Sequence, residues 1–111
     1  MRSLVLDELR PPDVQALRER LAKTLIASRL PDVFWLEMPP DLLTPEQTAH
    51  QEQCGPFRAA LVLEENELRL ELLIRTHASL HCTCTAYASK AQRDFLLSFL
   101  DRLVEELGIS T

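Results

Sequence analysis

The sequence predicts an α+β fold: a two-layer sandwich with a four-stranded antiparallel sheet and N- and C-terminal helices packed on one face, in the order α-β-short α-β-β-β-α. Three observations carry this expectation. Residues 57–76 alternate with a period of two on both sides of an acidic turn, as a half-buried hairpin does. Two distant segments, 12–30 and 89–108, instead repeat leucine and phenylalanine at three- and four-residue spacing. Prolines 11, 12, 31, 39, 40 and 45 fall at the ends of the segments and not within them.

The first helix is expected over residues 12–30, with Val14, Leu17, Leu21, Leu25 and Ser28 on one face. Pro11 and Pro12 stand at a helix start, where a missing N–H costs little, and Pro31 ends the run. Glu19 and Lys23 form an i,i+4 pair on the far side. Residues 33–38, aromatic and branched, read as a strand stopped by Pro39 and Pro40. Thr44, Pro45, Gln47 and Gly55 then mark a short helix as N-cap, first position, capping-box partner and terminator. Its only apolar face is Ala49, so it is expected to lie exposed.

In the hairpin, pairing Leu63 with Leu68 and Leu61 with Leu70 across Glu65-Asn66 sets both apolar rows on one face. Residues 79–89, "SLHCTCTAYAS", read as the fourth strand. Leu80, Cys82, Cys84 and Ala86 point inward, and Ile74 lies opposite Cys82. The last helix opens on a second capping box, Ser89 with Gln92. It buries Phe95, Leu96, Phe99, Leu100, Leu103 and Leu107 and ends at Gly108. The inner face then carries Phe34, Leu36, Leu61, Leu70, Leu72, Ile74 and Cys84.

At 111 residues the chain fits a single α+β domain, residues 1–111, with a core that needs neither disulfide nor metal. Glycines are confined to Gly55 and Gly108, which excludes a P-loop, a dinucleotide-binding turn and a nucleophile elbow. The formal charge of -5 argues against a non-specific nucleic-acid binder, and apolar runs of only a few residues argue against a membrane span. Three cysteines without framework spacing, and no secretory apolar stretch near residue 5, favour a cytoplasmic protein.

The outer sheet face is where function is expected. Trp35, Val62, Leu73 and Tyr87, rimmed by charged groups such as Arg69, are too apolar for a face that meets only water. The expected role is binding, through a twofold homodimer on this face, with another protein as the alternative partner. The competing arrangement folds residues 3–9, with Leu4 and Leu6, across it. A single-stranded RNA surface would use Trp35, Tyr87, Arg58, Arg69 and Arg75, but Glu37, Glu64 and Glu71 share the face and oppose it.

The other chemistry-bearing residues gather toward one sheet end. His50 and Cys54 are spaced i,i+4, and His77, His81 and Cys82 follow the hairpin. His50, Cys54, His81 and Cys82 are the candidate metal ligands, and His50, Cys54, His77 and His81 the candidate zinc-binding or small-molecule-processing site. In a flat meander Cys54 and Cys82 stand roughly 10 Å apart, two strand spacings, so core packing is favoured over metal, and no cofactor is expected. Acid–base catalysis would draw on His50, Glu46 or Glu52, His77 and His81. No nucleophile–base–orienter spacing accompanies them, so a non-enzymatic role is favoured.

Overall fold

Backbone pairing in the computed structural model, which describes residues 1–76 and 84–110, gives an α+β fold around an open antiparallel sheet. In chain order the elements are β1 (Ser3–Leu6), α1 (Pro11–Thr24), β2 (Ile26–Ala27), β3 (Val33–Glu37), a 3-10 turn (Pro40–Leu42), α2 (Pro45–Ala49) and α3 (Gln51–Cys54). Then follow β4 (Phe57–Leu63), β5 (Leu68–Glu71), β6 (Leu73–Thr76), β7 (Ala86–Tyr87) and α4 (Lys90–Leu107). The strands run β1-β5-β4-β3-β2, and β6 lies beside β4 beyond the end of β5, with β7 outside it.

The hairpin register is the one its alternation dictates. Leu61 faces Leu70 and Leu63 faces Leu68, and the Glu64 N–H donates to the Glu67 carbonyl at 2.8 Å to close the turn. The inward rows of β4 and β5, with Phe34 and Leu36 of β3, are buried in one cluster with Val14, Leu17 and Leu21 of α1 and Leu96, Leu100 and Leu103 of α4. The α4 ends are those expected: Ser89 caps its start, and Gly108 at φ 66° supplies the left-handed residue that only glycine adopts without strain.

The sheet has seven strands among the described residues, not four, and each addition has a local cause. Helix α1 stops at Thr24 instead of reaching residue 30, because Ile26 and Ala27 pair with Trp35 and Phe34 as β2. A β-branched residue beside an aromatic favours a strand over a further helical turn. Arg18 of α1 fastens the intervening turn, its Nε and Nη2 reaching the Asp32 carboxylate at 2.9 and 3.2 Å.

The segment read as one strand over 68–76 is broken at Leu72. Its N–H donates to the Arg2 carbonyl and its carbonyl accepts from Ala88, so Leu72 serves the strands on either side of it. Leu61 faces Leu70 while Arg58 faces Arg75, so five steps along this segment match three along β4. The two extra residues form a bulge, which preserves the alternation: Leu70, Leu72 and Ile74 all stay buried.

Two further expectations are corrected. The position opposite Ile74, expected to be Cys82, is taken by Ala86, and Leu73 lies opposite Tyr87. Ala86 is exposed instead of inward, and Cys84 occupies a turn before β7, although it is buried as expected. His77, His81 and Cys82 lie outside the described residues. The helix over 44–55 is broken at His50 (φ −102°, ψ 7°) into α2 and α3, and it is not wholly exposed, since Gln47 and Cys54 are buried.

Residues 3–6 do not fold across the outer face. They extend the sheet in its own plane, with Leu4 opposite Leu70 and Leu6 opposite Leu68, which turns both leucines toward the core and leaves Val5 outward. No described helix is long and apolar enough to cross a membrane.

Candidate functional site

Two places carry groups that the fold alone does not account for: a hollow on the outer sheet face and a histidine–cysteine cluster at one end of the core.

The hollow arises because β3 and β4 present small and branched outward residues between longer ones. Val33, Trp35, Ala60 and Val62 form its floor, and Leu30, Arg29, Glu71 and Arg75 stand around it, enclosing about 700 Å³. Arg58, opposite Glu37 in the ladder, lays its guanidinium over the Trp35 ring at 4.1 Å. Burial lowers the Arg58 pKa from its ordinary value, the Glu37 charge opposes this, and the buried Nε has no hydrogen-bond partner among the described residues. Arg75 is held by Glu71 at 3.1 Å.

Of the residues expected at an interface, Trp35 and Val62 line the hollow. Leu73 and Tyr87 pair with each other across β6 and β7. Tyr87 is met by the N-terminal residues: Arg2 stacks on its ring at 4.7 Å and its hydroxyl points to the Met1 sulfur at 3.9 Å. Arg69, opposite Val62, turns toward Glu64 and Glu67 at 2.6 and 3.2 Å, and those acids raise its pKa. Leu30 and Arg29, expected within the first helix, stand instead on the β2–β3 turn and line the hollow. Replacing Arg58 by methionine keeps a stem over Trp35 but removes an unmatched buried donor. Monomer stability is expected to stay within about 1 kcal/mol of wild type or to rise, as read by urea unfolding.

The second place is built by two capping boxes. Thr44 and Gln47 close the α2 start, with Thr44 Oγ1 accepting from the Gln47 N–H at 3.2 Å and Gln47 Oε1 accepting from the Thr44 N–H at 3.1 Å. Ser89 and Gln92 do the same for α4 at 3.2 and 3.0 Å. The two glutamines then meet: Gln92 Nε2 donates to Gln47 Oε1 at 2.9 Å and to the Leu42 carbonyl at 3.0 Å, and both side chains are fully buried. Gln47 Nε2 reaches the Cys84 carbonyl at 3.4 Å.

This bond sets the Cys84 turn against α2 and α3. His50 and Cys54, joined by the Cys54 N–H to His50 carbonyl bond at 2.8 Å, occupy the same helical turn. The result brings one ligand atom each from His50, Cys54 and Cys84 within 4.8 Å of one another. Cys54 and Cys84 are buried and His50 is half-buried. Cys84 is disulfide-bonded and Cys54 is not. His50 and Cys54 were legible as a pair from their spacing, whereas Cys84 read only as a small core residue. Comparison with protein-family models, with curated proteins and with solved structures finds no match to this chain.

Proposed function

We propose that this is a small cytoplasmic binding protein that associates with a second copy of itself through the outer face of its sheet, the two long helices covering the opposite face as a two-layer sandwich. The hollow floored by Trp35, Ala60 and Val62 carries the reading. Its rim supplies the matching knob, for Leu30 lines the hollow and is 67% exposed. A twofold axis through the face sets each Leu30 toward the other copy's hollow, and the face carries both charges, with Arg29, Arg58 and Arg75 beside Glu37 and Glu71. A surface that holds both a knob and a hole, and both charges, complements itself. Val5, Ile26 and Tyr87, all exposed, extend the apolar area toward the sheet edges. The acidic composition favours this reading over nucleic acid.

Val62→Asp tests it. Val62 is half-buried on the outer face, so the monomer should fold, while a carboxylate facing the second copy's apolar floor costs about 3 kcal/mol, more than 100-fold in Kd. Light scattering behind size exclusion should show wild type as a dimer and the variant as a folded monomer. A dimer of unchanged affinity in Val62→Asp would move the interface elsewhere, and a monomeric wild type at high concentration would end the proposal.

A further inference from the structure

The geometry points to a zinc site made of His50, Cys54 and Cys84, open to metal when Cys84 is reduced and closed when it is disulfide-bonded. One imidazole and two sulfurs are the donors zinc prefers, and in a tetrahedral site at the usual bond lengths they stand about 3.5–3.8 Å apart. The three ligand atoms already lie within 4.8 Å of one another, so closing on a metal asks for less than about one side-chain rotamer's movement.

The surroundings suit a held site. The ligands come from two backbone segments that the buried Gln47–Gln92 pair locks together, and Gln47 holds the Cys84 carbonyl directly. Such outer supports fix ligand orientation before the metal arrives. At the other flank the chain is tight, since a Cβ on Gly55 would meet the Gln51 carbonyl oxygen at 2.6 Å, which fixes the end of the turn that carries Cys54. His50 reaches the surface and gives the metal a way in. Three protein ligands leave one tetrahedral position for water or another donor.

The redox state decides access. A disulfide sulfur is no thiolate and cannot take the zinc, so the metal-bound form requires reduction. A dithiol reductant supplies the two electrons and two protons that convert the Cys84 disulfide to two thiols, and is itself oxidised to its disulfide. Zinc then displaces the thiol protons of Cys54 and Cys84, which pass to solvent. In the cytoplasm disulfides are usually redox-responsive and seldom permanent, which suits a site that opens and closes.

The experiment titrates zinc and cobalt(II) into the full-length protein, reduced with a phosphine and separately left oxidised, and counts bound metal by native mass spectrometry. Reduced wild type should bind one zinc per chain, raise its Tm, and show the thiolate-to-metal absorption of tetrahedral cobalt, while the oxidised protein should bind none. His50→Ala, half-exposed and therefore safe for folding, should weaken zinc by about 100-fold or more, since losing even an outer support costs 10–100-fold. Cys54→Ser, folded by circular dichroism, should weaken it comparably and alter the cobalt spectrum. No uptake by reduced wild type, or full uptake by both variants, would overturn the site. Failure here leaves the dimer reading standing, because its readout is subunit number and its residues lie on the other face.

Discussion

Gln92→Ala is expected to cost about 2–5 kcal/mol, a large part of the stability of a domain of this size. The side chain is fully buried and makes three bonds: it accepts from the Ser89 N–H and donates to the Leu42 carbonyl and to Gln47 Oε1. Truncation takes the partner from the part-buried Ser89 N–H and Leu42 carbonyl and removes one donor from Gln47. Each abandoned group costs toward the low end of about 1–3 kcal/mol, because both are part-buried and water recovers part of the loss. Chemical denaturation should show the midpoint falling without a change of slope. Because the Gln92–Gln47 bond is lost in either single variant, the double variant with Gln47→Ala should lose less than the two single losses combined. Simple additivity would mean that the two capping boxes act independently.

Leu61→Ala carries the other large effect. Leu61 has no solvent exposure and lies between Phe34 on one side and Leu70 on the other, at the centre of the inward row. Removing three heavy atoms there opens a cavity that the flanking strands cannot close, at about 2–5 kcal/mol. At about 4–8 °C per kcal/mol for a domain near this size, thermal unfolding should register it plainly. Val62→Ala, one residue along and on the other face, should cost less than about 1.5 kcal/mol. Equal losses at both positions would contradict the assignment of faces.

The elements most legible in the sequence were those fixed by neighbouring residues. Both glutamine capping boxes, the Gly108 terminus and the 61–70, 63–68 register were read correctly because short-range hydrogen bonds and alternation specify them. What escaped depended on partners far along the chain. The Gln47–Gln92 bond joins residues 45 positions apart, and no local pattern announces it. The α1 end at Thr24 is decided by Trp35 and Phe34, which offer Ile26 and Ala27 a strand partner. The bulge at Leu72 leaves the period-two pattern intact, so alternation could not reveal it. The same register concealed the neighbour of Cys54: with Ile74 opposite Ala86, the turn before β7 brings Cys84 beside His50 and Cys54. On the outer face, Trp35 and Val62 are visible by parity and Leu30 is not, because the helical spacing of residues 12–30 hides the turn on which it stands.

Native mass spectrometry of the untagged protein, sprayed from mild buffer over a range of concentrations, tests self-association through the outer face most directly. Wild type should give the mass of two chains and Val62→Asp the mass of one chain, with the same narrow charge distribution of a folded protein. A single chain in wild type at every concentration would contradict it.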